Sequence, residues 1–347
     1  MLDADLRRLC AALVDGGAFE ADARVLDLAR DHRVDVLLAQ RTGDRETLRA
    51  AAADALALEC DVTALCDGAS AANVDLLLLK GTALAYTHYA APHLRPRADI
   101  DLLVRREDLG RAGRVLVELG YGRSVEADAE LWTGQRHYLK PTPSGPVMVD
   151  LHWRAANPLA FADALPFDDV WRRAVRVPAL GDHVRTLSPA DSLLLACLHR
   201  VAHHQDRLDL LWLFDVHLLA SRMSAEEFVL FSSEAVRARA ARVSAHGLRL
   251  AQDCFGTPLP EGLLARLDTA EDEPSAAFIG GGKSAFDVAR ADMAALSGWR
   301  LRASLLREHL FPPASYMRRR YAGWPPALLP VAYVHRMVLG APRWLRR

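Results

Sequence analysis

Three aspartates have the type and spacing for chemistry. In Arg97-Ala98-Asp99-Ile100-Asp101-Leu102-Leu103-Val104 two carboxylates are separated by one residue. Side chains on a strand alternate between faces, so Asp99 and Asp101 share one face while Ile100 and Leu102 enter the core. Like charges set this close repel, and a cation between them relieves the repulsion. A second stretch, Val147-Met148-Val149-Asp150-Leu151-His152-Trp153, puts Asp150 on a face with Met148 and His152, opposite Val149 and Leu151. Laid beside the first strand it brings a third carboxylate to the same place. Oxygen ligands suit Mg2+ or Mn2+ over zinc, and such ions stay partly hydrated and bind substrate phosphates. The competing reading is that all three are solvent-facing residues of an amphipathic sheet.

What favours the metal is the segment upstream. Four leucines, residues 76–79, lead into Lys80-Gly81-Thr82-Ala83-Leu84. That pattern predicts a buried strand breaking at a glycine into a helix with a hydroxyl in its first turn. Glycine lets backbone approach a phosphate, and the helix start offers free N–H groups and the positive end of its dipole. Triphosphate and metal could share one pocket, although Gly81 also fits an ordinary strand-to-helix turn.

These residues need elements to hold them. Residues 2–72 follow a helical period, broken at Gly16-Gly17 and at Thr42-Gly43-Asp44, which predicts three short helices and a long one from Arg45. Strands are expected at 74–79 and 98–104, a helix at 106–119 closed by Gly120, and a hairpin of 138–141 with 147–153. After Pro158 the pattern reads as almost wholly helical, with starts at Ser188-Pro189 and Ser224-Ala225-Glu226-Glu227. The expected organisation is an N-terminal helical segment (1–72), a catalytic core (73–157), a helical domain (158–270), a linker (271–284) and a basic C-terminal helical region (285–347). The fold class is therefore α+β. Gly280-Gly281-Gly282-Lys283-Ser284 lacks the leading glycine of a phosphate loop, since Ala277 stands there, and reads as flexible linker.

Composition narrows the function. The 347 residues are 51% hydrophobic and 25% charged with a net charge of -1, which fits a folded enzyme and not a general polyanion binder. Five scattered cysteines without C-x-x-C spacing read as reduced thiols, and the charged N-terminus shows no export signal, so a cytoplasmic setting is expected. The apolar stretch 324–341 is interrupted by prolines, His335 and Arg336, too broken to span a membrane.

Taken in order, the motifs resemble the polymerase-β-like nucleotidyltransferase superfamily, and within it a family of uncharacterised bacterial nucleotidyltransferases. The likeness rests on Lys80-Gly81, Arg95 and Arg97 ahead of Asp99-Ile100-Asp101-Leu102-Leu103-Val104, Gly120-Tyr121, Asp150-Leu151-His152-Trp153, and a His-rich helical stretch from His199 to Asp215. Thr82 stands where the superfamily usually has Ser or Gly, and keeps a hydroxyl for phosphate. The resemblance implies that Asp99 and Asp101 hold the Mg2+ that bridges a triphosphate, while Asp150 shares a second ion or acts as base toward an acceptor hydroxyl. It further implies attack on the α-phosphate with release of pyrophosphate. Lys80, Gly81, Thr82, Arg95 and Arg97 would bind the nucleotide, ATP being the expected one; the two arginines could equally pair with nearby acids.

His199 and His203 share a helix face at i, i+4, but without the Glu of a zinc-protease motif they read as a polar face packed against the catalytic sheet. Together with His152 and Arg207 they are candidates for substrate contact. Asp215 could orient a histidine. The segment from Trp299 carries ten arginines against Glu308, a patch that could meet nucleic acid, an anionic lipid surface or an acidic partner, or close over the catalytic pocket. With no recognised nucleic-acid module elsewhere, nucleic acid is not the expected substrate. Two hypotheses follow: a metal-dependent enzyme moving a nucleoside monophosphate onto a small molecule, peptide or protein, and a catalytically silent nucleotide- or partner-binding module of the same fold.

Overall fold

The computed structural model of the protein describes residues 3–15, 19–124, 134–143, 145–268, 273–312 and 314–345. The leucine run ahead of Lys80 forms strand β1 (Leu76–Leu78), and helix α5 (Lys80–Thr87) follows at once. Strand β2 (Asp99–Val104) pairs antiparallel with β1, Leu78 opposite Leu102, and parallel with β5 (Val147–His152), Asp101 opposite Asp150. Strand β4 (Gln135–Lys140) forms the expected antiparallel hairpin with β5, and β3 (Gly122–Arg123) lies outside it. On the far side, β7 (Gly181–Thr186) runs parallel to β1, and β6 (Val175–Val177) lies at the edge. The order is β3-β4-β5-β2-β1-β7-β6, a seven-stranded mixed sheet in an α+β fold.

Strands β6 and β7 correct the expectation of a helical course after residue 158. They are short, and in β7 only Val184 and Thr186 are buried, so no apolar alternation announces them. The helices are otherwise largely as expected. Ahead of the sheet lie α1 (Ala4–Val14), α2 (Ala23–Asp31), α3 (Asp35–Thr42) and the 27-residue α4 (Arg45–Ala71). Within it come α6 (Leu109–Glu118) and α7 (Phe167–Arg173), and after it α8 (Pro189–His204), α9 (Leu210–Ala220), α10 (Ala225–Arg237), α11 (Ala241–Phe255) and α12 (Leu263–Asp268). Helix α10 opens with the capping box expected of Ser224 and Glu227.

Two cores sandwich the sheet. One face, with Leu78, Ile100, Leu102, Val149 and Leu151, packs on Val62 and Leu65 of α4 and Leu116 of α6. The opposite face contributes Leu77, Leu79 and Leu103 to a larger core in which α1–α3 meet α8–α12. The first three helices thus share a core with residues far along the chain, and only α4 serves the sheet's other side. Residues 273–284, expected as loose linker, are packed in the described part. Glu273 accepts hydrogen bonds from the Ala241 and Arg242 N–H groups at 2.8 Å, capping α11, and Gly280 N–H donates to Asp206 at 2.7 Å.

One contact that ties the sheet to the helical core is ionic. Arg95, on the loop before β2, is gripped by Asp215 of α9 through Nε–Oδ1 at 2.8 Å and Nη2–Oδ2 at 2.7 Å, and the Tyr89 hydroxyl donates to Asp215 Oδ1 at 2.8 Å. Arg95 and Asp215 are both buried. Removing one member strands a charge in the interior, which costs about 3–5 kcal/mol. Asp215→Ala should therefore lower the unfolding free energy by that amount, read as an earlier urea midpoint with little change in slope.

Candidate active site

The alternation of β2 and the parallel register of β5 bring Asp99, Asp101 and Asp150 to one sheet face, as the sequence led one to expect. Asp101 and Asp150 are buried side by side, and Asp99 is half-buried at the end of β2. His152, wholly buried, approaches Asp101 Oδ1 with Nε2 at 2.8 Å. Lys80 Nζ donates to the same oxygen at 2.6 Å. Lys80 reaches it from a left-handed backbone, φ 48°, in the first residue of α5. For a non-glycine side chain that conformation costs on the order of 1–3 kcal/mol and persists only where its surroundings enforce it.

Burial opposes charge on Asp101, but the Lys80 ammonium and the His152 N–H outweigh it and hold this carboxyl well below the ordinary carboxylate range. Asp99 has no such partner among the described residues. Burial and the neighbouring Asp101 charge push it up to about 6, with Asp150 adding to the rise and Lys80 only partly offsetting it. His152 is lowered by burial and by Lys80, so it stays neutral with its proton on Nε2 toward Asp101. Its Nδ1 has no hydrogen-bond partner among the described residues.

Asp150 is fixed by residues that sequence reasoning did not single out. His137 Nδ1 lies 2.6 Å from Asp150 Oδ1, and Gln135 Nε2 donates to Oδ2 at 3.1 Å. Both sit on β4, His137 directly opposite Asp150. The signal was the i, i+2 pair of polar residues on a strand facing an acidic one, legible only once the hairpin register is known.

Other expected nucleotide contacts land differently. Thr82 is buried and its hydroxyl donates to the Asp99 carbonyl at 3.3 Å. Arg95 is held in the interior by Asp215. Gly81 accommodates it: a Cβ there would stand 3.2 Å from the guanidinium carbon. A side chain at 81 would thus crowd the Arg95 guanidinium, while the left-handed residue of the turn is Lys80. Arg97 is half-buried over the Tyr86 ring at 5.3 Å, with Nη1 donating to the Pro92 carbonyl at 3.0 Å.

The His-rich helix does pack toward this face. His203, its pKa lowered to about 3 by burial and by the Lys80 charge, also feels His152 and Asp101, and its Nε2 accepts from the Asn157 N–H at 3.2 Å. His199 stands edge-on to Trp212, whose ring also stacks on His204 and lies under Arg33. A cavity joins Lys80, Thr186, His199, Trp212 and Asp215. Arg207 is exposed beyond the end of α8.

The donor set can accept a divalent ion. Asp101 and Asp150 each offer an oxygen within 4.8 Å of the other, and His152, whose Nε2 proton serves Asp101, stands in the same group behind them. Asp99 at the same face carries negative charge that nothing nearby fully offsets.

A family profile described as "Uncharacterised nucleotidyltransferase" matches residues 20–256 of the chain. The chain belongs to that family. The matched span includes the whole carboxylate face and helices α2–α11. No curated protein matches this nucleotidyltransferase. Among solved structures, the solution structure of the antibiotic-resistance factor ANT(2'')-Ia is similar at 17% identity and a TM-score of 0.37, covering 56% of this chain and 99% of that one. A likeness of that size adds nothing to the assignment, which rests on the family match.

The raised Asp99 carboxyl makes a stability prediction for the metal-free protein. Its folded pKa of about 6 lies above the ordinary 3.8, so the native state loses stability as pH rises from about 4 to 6 and stays penalised above. With chelator present, Asp99→Asn should stabilise the fold at pH 7.5 by up to about 3 kcal/mol, and the gain should vanish toward pH 4. Chemical denaturation across that range checks it.

Proposed function

We propose that this nucleotidyltransferase moves a nucleoside monophosphate from an NTP, with ATP the expected donor, onto a hydroxyl or similar group of a small molecule, peptide or protein. The observation behind this reading is the in-register pair Asp101 and Asp150 with Asp99 beside them, set against the start of α5. Asp99 and Asp101 would hold a Mg2+ or Mn2+ ion, which when bound neutralises triphosphate oxygens and polarises the α-phosphorus. Lys80 and His152 orient Asp101 by fixing its Oδ1. His137 and Gln135 do the same for Asp150, as ligand to a second ion or as the group that takes the acceptor's proton. The acceptor oxygen forms its bond to the α-phosphorus as the bond to the bridging oxygen breaks, and pyrophosphate leaves. Arg97 and Lys80 are the cations proposed to meet the phosphates, and His199 and His203 to face the substrate.

The five cysteines are free and scattered, in keeping with a cytoplasmic setting. No helix among the described residues is long and apolar enough to cross a membrane.

Incubating the protein with each α-labelled nucleotide, Mg2+ and cell extract should move label to an acceptor. Chelator, or Asp99→Ala with Asp101→Ala, should reduce transfer to background. Full transfer by that double variant would refute the assignment, and tight nucleotide binding with no label in any fraction would favour the silent module. A further outcome concerns the residues behind the ligands. His152→Ala should weaken Mg2+ about 10–100-fold, measured by calorimetry with nucleotide present.

A further inference from the structure

The surface beyond residue 298 has a composition that nucleotidyl transfer does not use. From Trp299 onward there are ten arginines and no lysine, against the single acid Glu308. Helices α14 (Trp299–Leu310), α15 (Ala314–Arg320) and α16 (Leu329–Leu345) carry this segment behind α13 (Ala285–Ala295). Arg300, Arg302, Arg307, Arg318, Arg319 and Arg320 are all exposed.

Large apolar side chains stand in water among them: Trp299 is 75% exposed, Phe311 54%, Val331 51%, Val334 56% and Val338 64%. The three valines are spaced three and four residues apart on α16, so they form one stripe. The helix's other side is already occupied, since Ala332 is buried and α16 packs on α13 and α15. Nothing among the described residues covers the stripe. Isolated exposed valines are unremarkable on a protein surface, but an uncovered stripe of three in a segment this rich in exposed arginine marks a contact surface.

We propose that α14–α16 dock this protein onto an anionic lipid surface, arginines at the headgroups and the valine stripe with its neighbouring aromatic rings at the acyl boundary. Such a surface offers both halves of the match: negative charge for the guanidinium groups and an apolar layer that an in-plane helix can enter by roughly 5–10 Å. A nucleic acid would satisfy the arginines, but its apolar surface is the flat face of bases, which aromatic rings stack on and valines do not. The helices lie on the bilayer and do not span it.

Flotation of the full chain with phosphatidylcholine vesicles, with and without phosphatidylglycerol, tests the proposal at low and high salt. Binding should appear only with the anionic lipid and weaken as salt rises. Each arginine near the surface adds roughly fivefold to partitioning, so joint Arg318→Gln, Arg319→Gln and Arg320→Gln should lower it on the order of a hundredfold. Joint Val331→Ser, Val334→Ser and Val338→Ser should also release the protein, with the unfolding midpoint held as the control for folding. The proposal is overturned by equal binding to neutral vesicles, by no binding to anionic ones, or by a valine variant that floats like the parent. Tight binding to duplex RNA or DNA without vesicle binding overturns it in favour of nucleic acid. None of these outcomes depends on whether transfer activity is found.

Discussion

Three carboxylates drawn from two neighbouring strands cannot all carry charge in a buried setting unless cations stand among them, and the chain around them is arranged to that end. Lys80 adopts a backbone conformation foreign to its type to put its ammonium against Asp101. His152 is wholly enclosed so that its N–H serves the same oxygen. What these two leave unbalanced collects on Asp99, the most accessible of the three. A divalent ion at that place would complete a charge arrangement the protein finishes only in part.

The same logic explains the long-range architecture. A buried arginine on the loop before β2 needs a buried partner, and Asp215 supplies it from α9, 120 residues onward. The loop that ends at Asp99 is thereby referenced to the helical core and not to the sheet alone. Gly81 leaves space beside that guanidinium, so the start of α5 lies against the Arg95–Asp215 ion pair.

The ordered motifs around Asp99, Asp101 and Asp150 were legible because strand alternation leaves a direct trace in sequence. The long helix α4 and the capped start of α10 were legible for the same reason: period and cap are local properties. What stayed hidden was relational. Strands β6 and β7 exist because β1 has an open edge to pair with, not because their own residues form an apolar pattern. Arg95 carries the chemistry of a phosphate ligand, and only the fold reveals that Asp215 has claimed it. Thr82 kept its hydroxyl in sequence, but the nearest acceptor is the Asp99 carbonyl. His137 and Gln135 gain meaning from a hairpin register that no single strand encodes.

The parallel pairing of β2 with β5 has a consequence for how such a protein can change. Strand spacing of about 4.8 Å sets the separation of the paired aspartates, and a slip of one residue would send Asp150 into the apolar layer. The relative placement of the three carboxylates is therefore as fixed as the sheet's hydrogen bonds. The His-rich end of α8 lies outside that strand pairing and is held by ring packing on Trp212. Remodelling of those outer walls would leave the spacing of the three carboxylates intact, because the sheet and not the walls sets it.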